Sequence, residues 1–217
     1  MTEAAKTVLV IGASSGIGLA VTRLALERGY AVRALARSAA GIALSHPLLT
    51  RQPGDACNAP DVARALAGVD AVVQALGVPA GPRMVTGPVT LFSAATRVLL
   101  PAMAAAGVRR LITITGFGAG DSRTAISPLQ RLGFMLVFGR AYADKDIQEQ
   151  LIRASGLDWT LVRPGVLTNG RASGRYRVLA ESAEWRNGII DRADVADFVV
   201  QQIDGRDYVG KAPVLIG

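Results

Sequence analysis

Three glycines, Gly12, Gly16 and Gly18, frame Ala13, Ser14, Ser15 and Ile17 in a stretch suited to holding an anion. The apolar run Val8–Ile11 precedes it, and a helical pattern from Leu19 to Arg28 follows. A strand that breaks on glycines and restarts as a helix brings free backbone N–H groups and a positive dipole end to one point. Gly12 permits the tight turn, Gly16 lets the backbone approach a pyrophosphate, and Gly18 lets helix and strand pack closely. Ser14, Ser15 and Ile17 complete the cradle. The expected chemistry is dinucleotide binding. A plain strand-to-helix turn would not need three glycines at this spacing.

The adenosine ribose of such a ligand lies at the end of the second strand, about 20 residues beyond the glycines. An Asp or Glu there would bond a free ribose 2′-hydroxyl and repel a 2′-phosphate. This chain has Arg37 and Ser38, with Arg33 nearby. Guanidinium pairs bidentately with phosphate, and charge-assisted bonds contribute roughly 1.5–3 kcal/mol each. That is roughly a tenfold to hundredfold preference. NADP(H) is the expected cofactor, against the alternative that Arg37 is an ordinary surface arginine.

The elements that must position these residues follow from the apolar pattern. The chain of 217 residues is long enough for one large α/β domain and short for two, and its 50% hydrophobic content supplies a substantial core. Strands are expected at Thr7–Ile11, Ala31–Ala36, Leu48–Gln52, Asp70–Leu76, Arg110–Thr115 and Trp159–Arg163. Helices are expected at Gly16–Arg28, Asp61–Leu66, Val89–Ala106 and from about Tyr142 to Ser155. This β-α rhythm with continuous apolar strands predicts an α/β fold, a Rossmann-like doubly wound parallel sheet in a single domain. In the last third, Arg171–Ala180 reads as an exposed strand or a cap over the site, Asp194–Ile203 as a helix, and Lys211–Ile216 as a closing strand.

Several function classes recede on composition. The one histidine, His46, argues against a His-based metal site or Ser-His-Asp catalysis, so no metal is expected. The one cysteine, Cys57, excludes an intramolecular disulfide and fits a reducing, cytoplasmic location. No apolar run approaches the ~20 residues of a membrane span. The net charge of +7 invites a nucleic-acid reading, but the basic residues are dispersed, so no nucleic-acid partner is expected.

Further motifs carry a resemblance. Gly54-Asp55, Gly68-Val69-Asp70-Ala71-Val72-Val73, Gly107-Val108-Arg109-Arg110-Leu111, Ser155-Gly156-Leu157-Asp158-Trp159-Thr160, Arg163-Pro164-Gly165 and Arg192-Ala193-Asp194-Val195-Ala196 join the glycine turn. With them the chain resembles, over nearly its whole length, the atypical NAD(P)H-binding branch of the short-chain dehydrogenase/reductase superfamily, including NmrA-like and biliverdin-IXβ/flavin reductase-like proteins. The resemblance implies that Asp55 and Ala56 meet the adenine and that Ala75, Leu76 and Gly77 lie beneath the adenosine ribose. It also implies that Thr115 and Gly116 stand beside the nicotinamide, with Pro164, Gly165, Val166 and Leu167 along its carboxamide.

Catalysis is where the match thins. Typical members of the superfamily use a Tyr four residues before a Lys, assisted by a Ser on the fifth strand. Lys145 is in place, with Glu149 after it, but the position four before it is Ala141 and the serine position is Thr115. Tyr142 lies one residue on from Ala141, about 100° around the helix. It is expected to be a packing residue. The usual Ser-Tyr-Lys system is thus absent, and Thr115 and Lys145 are left with positioning roles. Lys145 could instead be a surface residue paired with Glu149.

Two functions stay open. One is an NADPH-dependent reductase passing hydride to a small aromatic or conjugated acceptor, such as a flavin, quinone, tetrapyrrole or carbonyl. The other is a non-catalytic NADP(H)-binding redox sensor. The protein is expected to be a monomer or weak homo-oligomer. The apolar stretch Pro128–Gly139 is a loop-borne candidate for core or interface, substrate wall, or membrane contact, with Phe134, Met135 and Phe138 on one helical surface.

Overall fold

Sequence register, read across the sheet, sets the site. In the computed structural model, which describes residues 5–78, 89–125 and 128–217 (of residues 128–137, the backbone alone), Ile11 stands level with Leu35 and with Gln74. Gln74 in turn stands level with Thr113, and Ile114 with Val162. These residues lie at or within two residues of the ends of β1 (Thr7–Ile11), β2 (Ala31–Ala36), β4 (Ala71–Gln74), β5 (Arg110–Ile114) and β6 (Asp158–Pro164). The chain therefore leaves the sheet at Gly12, Arg37, Ala75, Thr115 and Gly165 along one edge.

With β3 (Leu49–Pro53), β8 (Arg177–Leu179) and β10 (Val214–Ile216), the main sheet has the order β3-β2-β1-β4-β5-β6-β10-β8. All pairs are parallel except β8 with β10. From β1 the chain winds outward through β2 to β3, then returns to β4 on the other side. The crevice between β1 and β4 is thus the topological switch point, where open α/β sheets bind ligands. The segment expected as a strand or cap at Arg171–Ala180 supplies β8, an edge strand of this sheet. A separate parallel pair, β7 (Val166–Thr168) with β9 (Ile189–Asp191), stands beyond β6 and was not foreseen.

Strand alternation builds two cores. In β1, Val8 and Val10 face the core that contains Val21 and Ala25 of α1 (Gly16–Glu27) and Val195 and Val199 of α5 (Arg192–Gln201). Leu9 and Ile11 face the opposite core, with α2 (Ala59–Leu66), α3 (Leu91–Ala105) and α4 (Pro128–Arg153). Leu9, Leu99 and Leu111 are fully buried there, each contributing roughly 1.5–3 kcal/mol. Apolar side chains on both faces of β1 and β4 explain the unbroken apolar runs in the sequence. Among the described residues, no helix is long and apolar enough to cross a membrane.

One expected boundary moves far. α4 begins at Pro128, not near Tyr142, and takes in the stretch expected as a loop. Proline suits a first helical turn, whereas Gly133 and Gly139 within the stretch mask its helical character in the sequence. Asp144 of α4 then caps α3 from outside: its Oδ2 accepts the backbone N–H of Phe92 at 2.8 Å and of Ser93 at 3.2 Å. Thr90, the residue at the cap position of α3, supplies no side-chain bond. The carboxylate thus satisfies orphan donors at a positive helix end and fixes α4 against α3 one residue before Lys145.

Candidate functional site

A cleft of about 640 Å³ lies over the switch point. At its floor Gly12 adopts φ +86°, and a Cβ there would stand 2.6 Å from the carbonyl oxygen of Ala75. A Cβ on Gly18 would stand 2.2 Å from the carbonyl oxygen of Gly12, so α1 seats directly on the turn. Gly16 has open space where a Cβ would be. Ser15 precedes α1 without a side-chain capping bond, and no acidic residue occupies the first turn. The N–H groups and positive dipole end of α1 therefore remain available at the cleft. An extended anionic group fits this cradle.

Most residues singled out from sequence line the cleft: Gly12, Ser14, Ser15, Gly16, Ile17, Arg37, Ser38, Asp55, Ala56, Ala75, Leu76, Gly77, Thr115, Lys145, Pro164 and Leu167. Gly18, Gly165 and Val166 do not. Gly18 is spent on helix–strand contact, and Gly165 on close approach to Gly188, whose carbonyl oxygen would stand 2.2 Å from an added Cβ. Val166 is 54% exposed, with strand alternation turning its neighbour Leu167 to the cleft. Arg33 is also diverted. Its Nη1 donates to the carbonyls of Ala65 and Ala67, both at 2.7 Å, and so closes the C-terminal end of α2. Arg37 has no such engagement: it makes no hydrogen bond or salt bridge with a described residue.

The far end is organised by α4. Lys145 Nζ donates to the backbone carbonyl of Thr115 and stands 4.9 Å from the ring centre of Phe92 and 5.3 Å from that of Tyr142. Burial lowers its pKa to about 8, against a smaller opposing effect of Glu149. Thr115 Oγ1 donates to Glu149 Oε1 at 2.8 Å. Glu149 is buried and grips Arg163, whose Nε lies 3.0 Å from Oε1 and whose Nη2 lies 2.5 Å from Oε2. Arg163 also reaches Asp121 at 2.5 Å. Glu149 is therefore the anchor of a buried ion pair, and the alternative of a surface pair with Lys145 is wrong.

Tyr142 is turned to the end of β5. Its hydroxyl occupies the space beside Gly116, where an added Cβ would stand 2.7 Å away. Burial pushes its pKa up to about 12. Ala141, at the position four before Lys145, is buried. Phe138 meets Tyr142 edge to face, with ring centres 6.4 Å apart, and is not among the cleft-lining residues. The side chains of Phe134 and Met135 lie outside the described residues.

Sequence reasoning missed Cys57, Val78, Leu91 and Arg192 on the cleft wall. Arg192 had a signal, since it opens the last helix of a parallel α/β repeat, whose start faces the ligand edge. It also missed the buried amide and hydroxyl cluster beneath the site. There Gln148 Nε2 donates to Gln74 Oε1 at 3.0 Å and to Thr96 Oγ1 at 3.2 Å, tying α4 to β4 and α3. Among the described residues no group of histidine, cysteine, aspartate or glutamate could hold a metal ion.

Known proteins share this architecture. A family model described as NAD(P)H-binding matches residues 12–206. The uncharacterized chloroplastic protein At2g34460 of Arabidopsis thaliana is 28% identical over 203 residues, which is 91% of this chain and 72% of that protein. Of solved structures, ChuY, an anaerobillin reductase from Escherichia coli O157:H7, is 26% identical with a TM-score of 0.79, covering 97% of each chain. A short-chain dehydrogenase/reductase from Veillonella parvula in complex with NADP shares the fold with a TM-score of 0.81, at 15% identity over 98% of this chain and 94% of that one.

Proposed function

Because the chain belongs to the NAD(P)H-binding family, we propose that it is an NADPH-dependent reductase passing hydride to a small aromatic or conjugated acceptor. The observation that carries the 2′-phosphate assignment is Arg37, a cleft-lining cation with no protein partner among the described residues, at the end of β2. In this reading the turn from Gly12 to Gly18 holds the pyrophosphate through the N–H groups opening α1. Arg37 and Ser38 take the 2′-phosphate, and Asp55 and Ala56 meet the adenine. Ala75, Leu76 and Gly77 support the adenosine ribose, while Pro164 to Leu167 run beside the carboxamide. The nicotinamide, when bound, supplies hydride from its C4.

What this chain adds is position, not a proton. Lys145 lines the cleft and spends one N–H on the carbonyl of Thr115, leaving two for hydroxyls of a ribose. Thr115 gives its one hydroxyl proton to Glu149, so it has none to give an acceptor. Such a site favours acceptors that need no strong enzymic acid: flavins, quinones, tetrapyrroles or activated carbonyls. The likeness to an anaerobillin reductase supports the tetrapyrrole end of that range.

The same inward bonding of Thr115 and Lys145 also favours a second reading, a non-catalytic NADP(H)-binding redox sensor. Anaerobic oxidation of NADPH and NADH, followed across a panel of flavins, quinones, tetrapyrroles and carbonyls, separates the two. Turnover with NADPH preferred supports the reductase. Tight NADPH binding without turnover across the panel replaces it with the sensor.

A further inference from the structure

Arg192 lines the cleft where it meets Thr168 and Asn169, and no salt bridge to a described residue neutralises its charge. Its hydrogen bonds come from one nitrogen: Nη1 donates to the carbonyl of Thr168 at 3.2 Å and to Asn169 Oδ1 at 2.6 Å. Both acceptors are neutral, and Nε and Nη2 remain for another group. The nearby carboxylates are committed elsewhere. Asp191 accepts from Thr168 Oγ1 and from the N–H of Gly170. Asp194, buried, accepts from the N–H groups of Ser173 and Gly174 and from Ser173 Oγ. Asp197 pairs with Arg28 and accepts from Tyr176. The helix thus spends its acids on scaffold and presents its one arginine to the cleft.

The position of Arg192 separates it from Arg37. Arg37 follows β2, whereas Thr168, which Arg192 bonds, lies four residues after the end of β6, and β2 and β6 are four strand spacings, roughly 19 Å, apart. One phosphate group cannot occupy both ends. We infer that Arg192 binds a second anionic oxygen group, either a pyrophosphate oxygen of the dinucleotide or an acidic substituent of the acceptor. A guanidinium with a free Nε–Nη2 edge matches either bidentately. This rests on the proposed cofactor reading, and makes the acceptor an anionic one if the cofactor's phosphates are satisfied elsewhere.

Two titrations test it on Arg192→Gln and Arg192→Lys beside the unaltered protein. The first measures NADPH affinity by nicotinamide fluorescence. The second measures FMN and riboflavin binding to the NADP⁺-saturated protein, the two flavins differing by one phosphate. A tenfold or greater loss of NADPH affinity in Arg192→Gln, partly recovered in Arg192→Lys, identifies the dinucleotide phosphate as the ligand. A comparable loss for FMN but not riboflavin, with NADPH unaffected, identifies the acceptor's anion. Variants that match the unaltered protein in both titrations overturn the inference. If Arg192→Gln fails to fold, the loss of the bidentate edge in Arg192→Lys decides alone. Failure of the unaltered protein to bind NADPH is a different pattern, and it removes the cofactor reading together with this one.

Discussion

The hydroxyl of Thr115 donates to Glu149 Oε1 across 2.8 Å, with Glu149 itself held by Arg163. Thr115→Val keeps the shape and removes that donor. The carboxylate retains its guanidinium partner, so the expected loss is about 1–2 kcal/mol of stability, seen as a lower Tm. NADPH oxidation should stay within a few-fold of the unaltered protein. A hundredfold loss of kcat in a folded variant would mean that Thr115 supplies a proton after all.

Arg37→Ala should weaken NADPH binding roughly tenfold to hundredfold and leave NADH binding unchanged. Calorimetric titration with both nucleotides measures this. Equal losses for the two would take the 2′-phosphate away from Arg37.

Tyr142 and Gly116 share one volume, since a Cβ at Gly116 meets the phenolic oxygen at 2.7 Å. Tyr142→Phe should leave reduction within about threefold and stability nearly intact, because hydroxyl removal clears space without emptying the ring site. Gly116→Ala should be strongly destabilising, and less so in the Tyr142→Phe background. Additive effects in this double-mutant cycle would contradict the contact.

Burial lowers the pKa of Lys145 from 10.5 to about 8. Between those values the unfolded chain holds a proton that the folded protein has released, so stability rises with pH through this window. Below about pH 8 the ammonium is buried at full cost. Lys145→Met removes this contribution, so the unaltered protein should gain stability relative to the variant from pH 8 to 10. Tm measured at intervals across that range, with the nucleotide absent, checks it. A constant gap would show that Lys145 keeps an ordinary lysine pKa.

Asp144 caps α3 from α4. Asp144→Ala should lower stability by about 2 kcal/mol, the cost of a lost cap with two buried N–H groups left unpaired. Because Lys145 is the next residue, NADPH affinity should fall as well. A stable variant with full affinity would separate the cap from the site.

The glycine turn and the strand-helix rhythm were legible because torsion and period are local properties of a sequence. Gly12 needs φ +86°, and alternating cores leave apolar runs in β1 and β4. The start of α4 was hidden because Gly133 and Gly139 weaken a helical signal that Pro128 alone begins. The sequence placed Arg37 at the end of the second strand with Arg33 only nearby; that Arg33 is tied to the end of α2 depends on packing that spacing does not show. The partnership of Thr115, Glu149 and Arg163 joins three separate elements, and spacing along a chain does not encode it.

The order of strands imposes an order in time. β10 lies between β6 and β8 in space but is synthesised after both. Until residues 214–216 leave the ribosome, β8 has no neighbour in the sheet and β6 lacks its pairing through Arg163 and Pro164. A nascent chain can therefore form the first six strands, but it carries an open edge beside the cleft. Completion of the sheet beside the ligand-binding edge therefore waits for β10, which follows both of its neighbours in the chain.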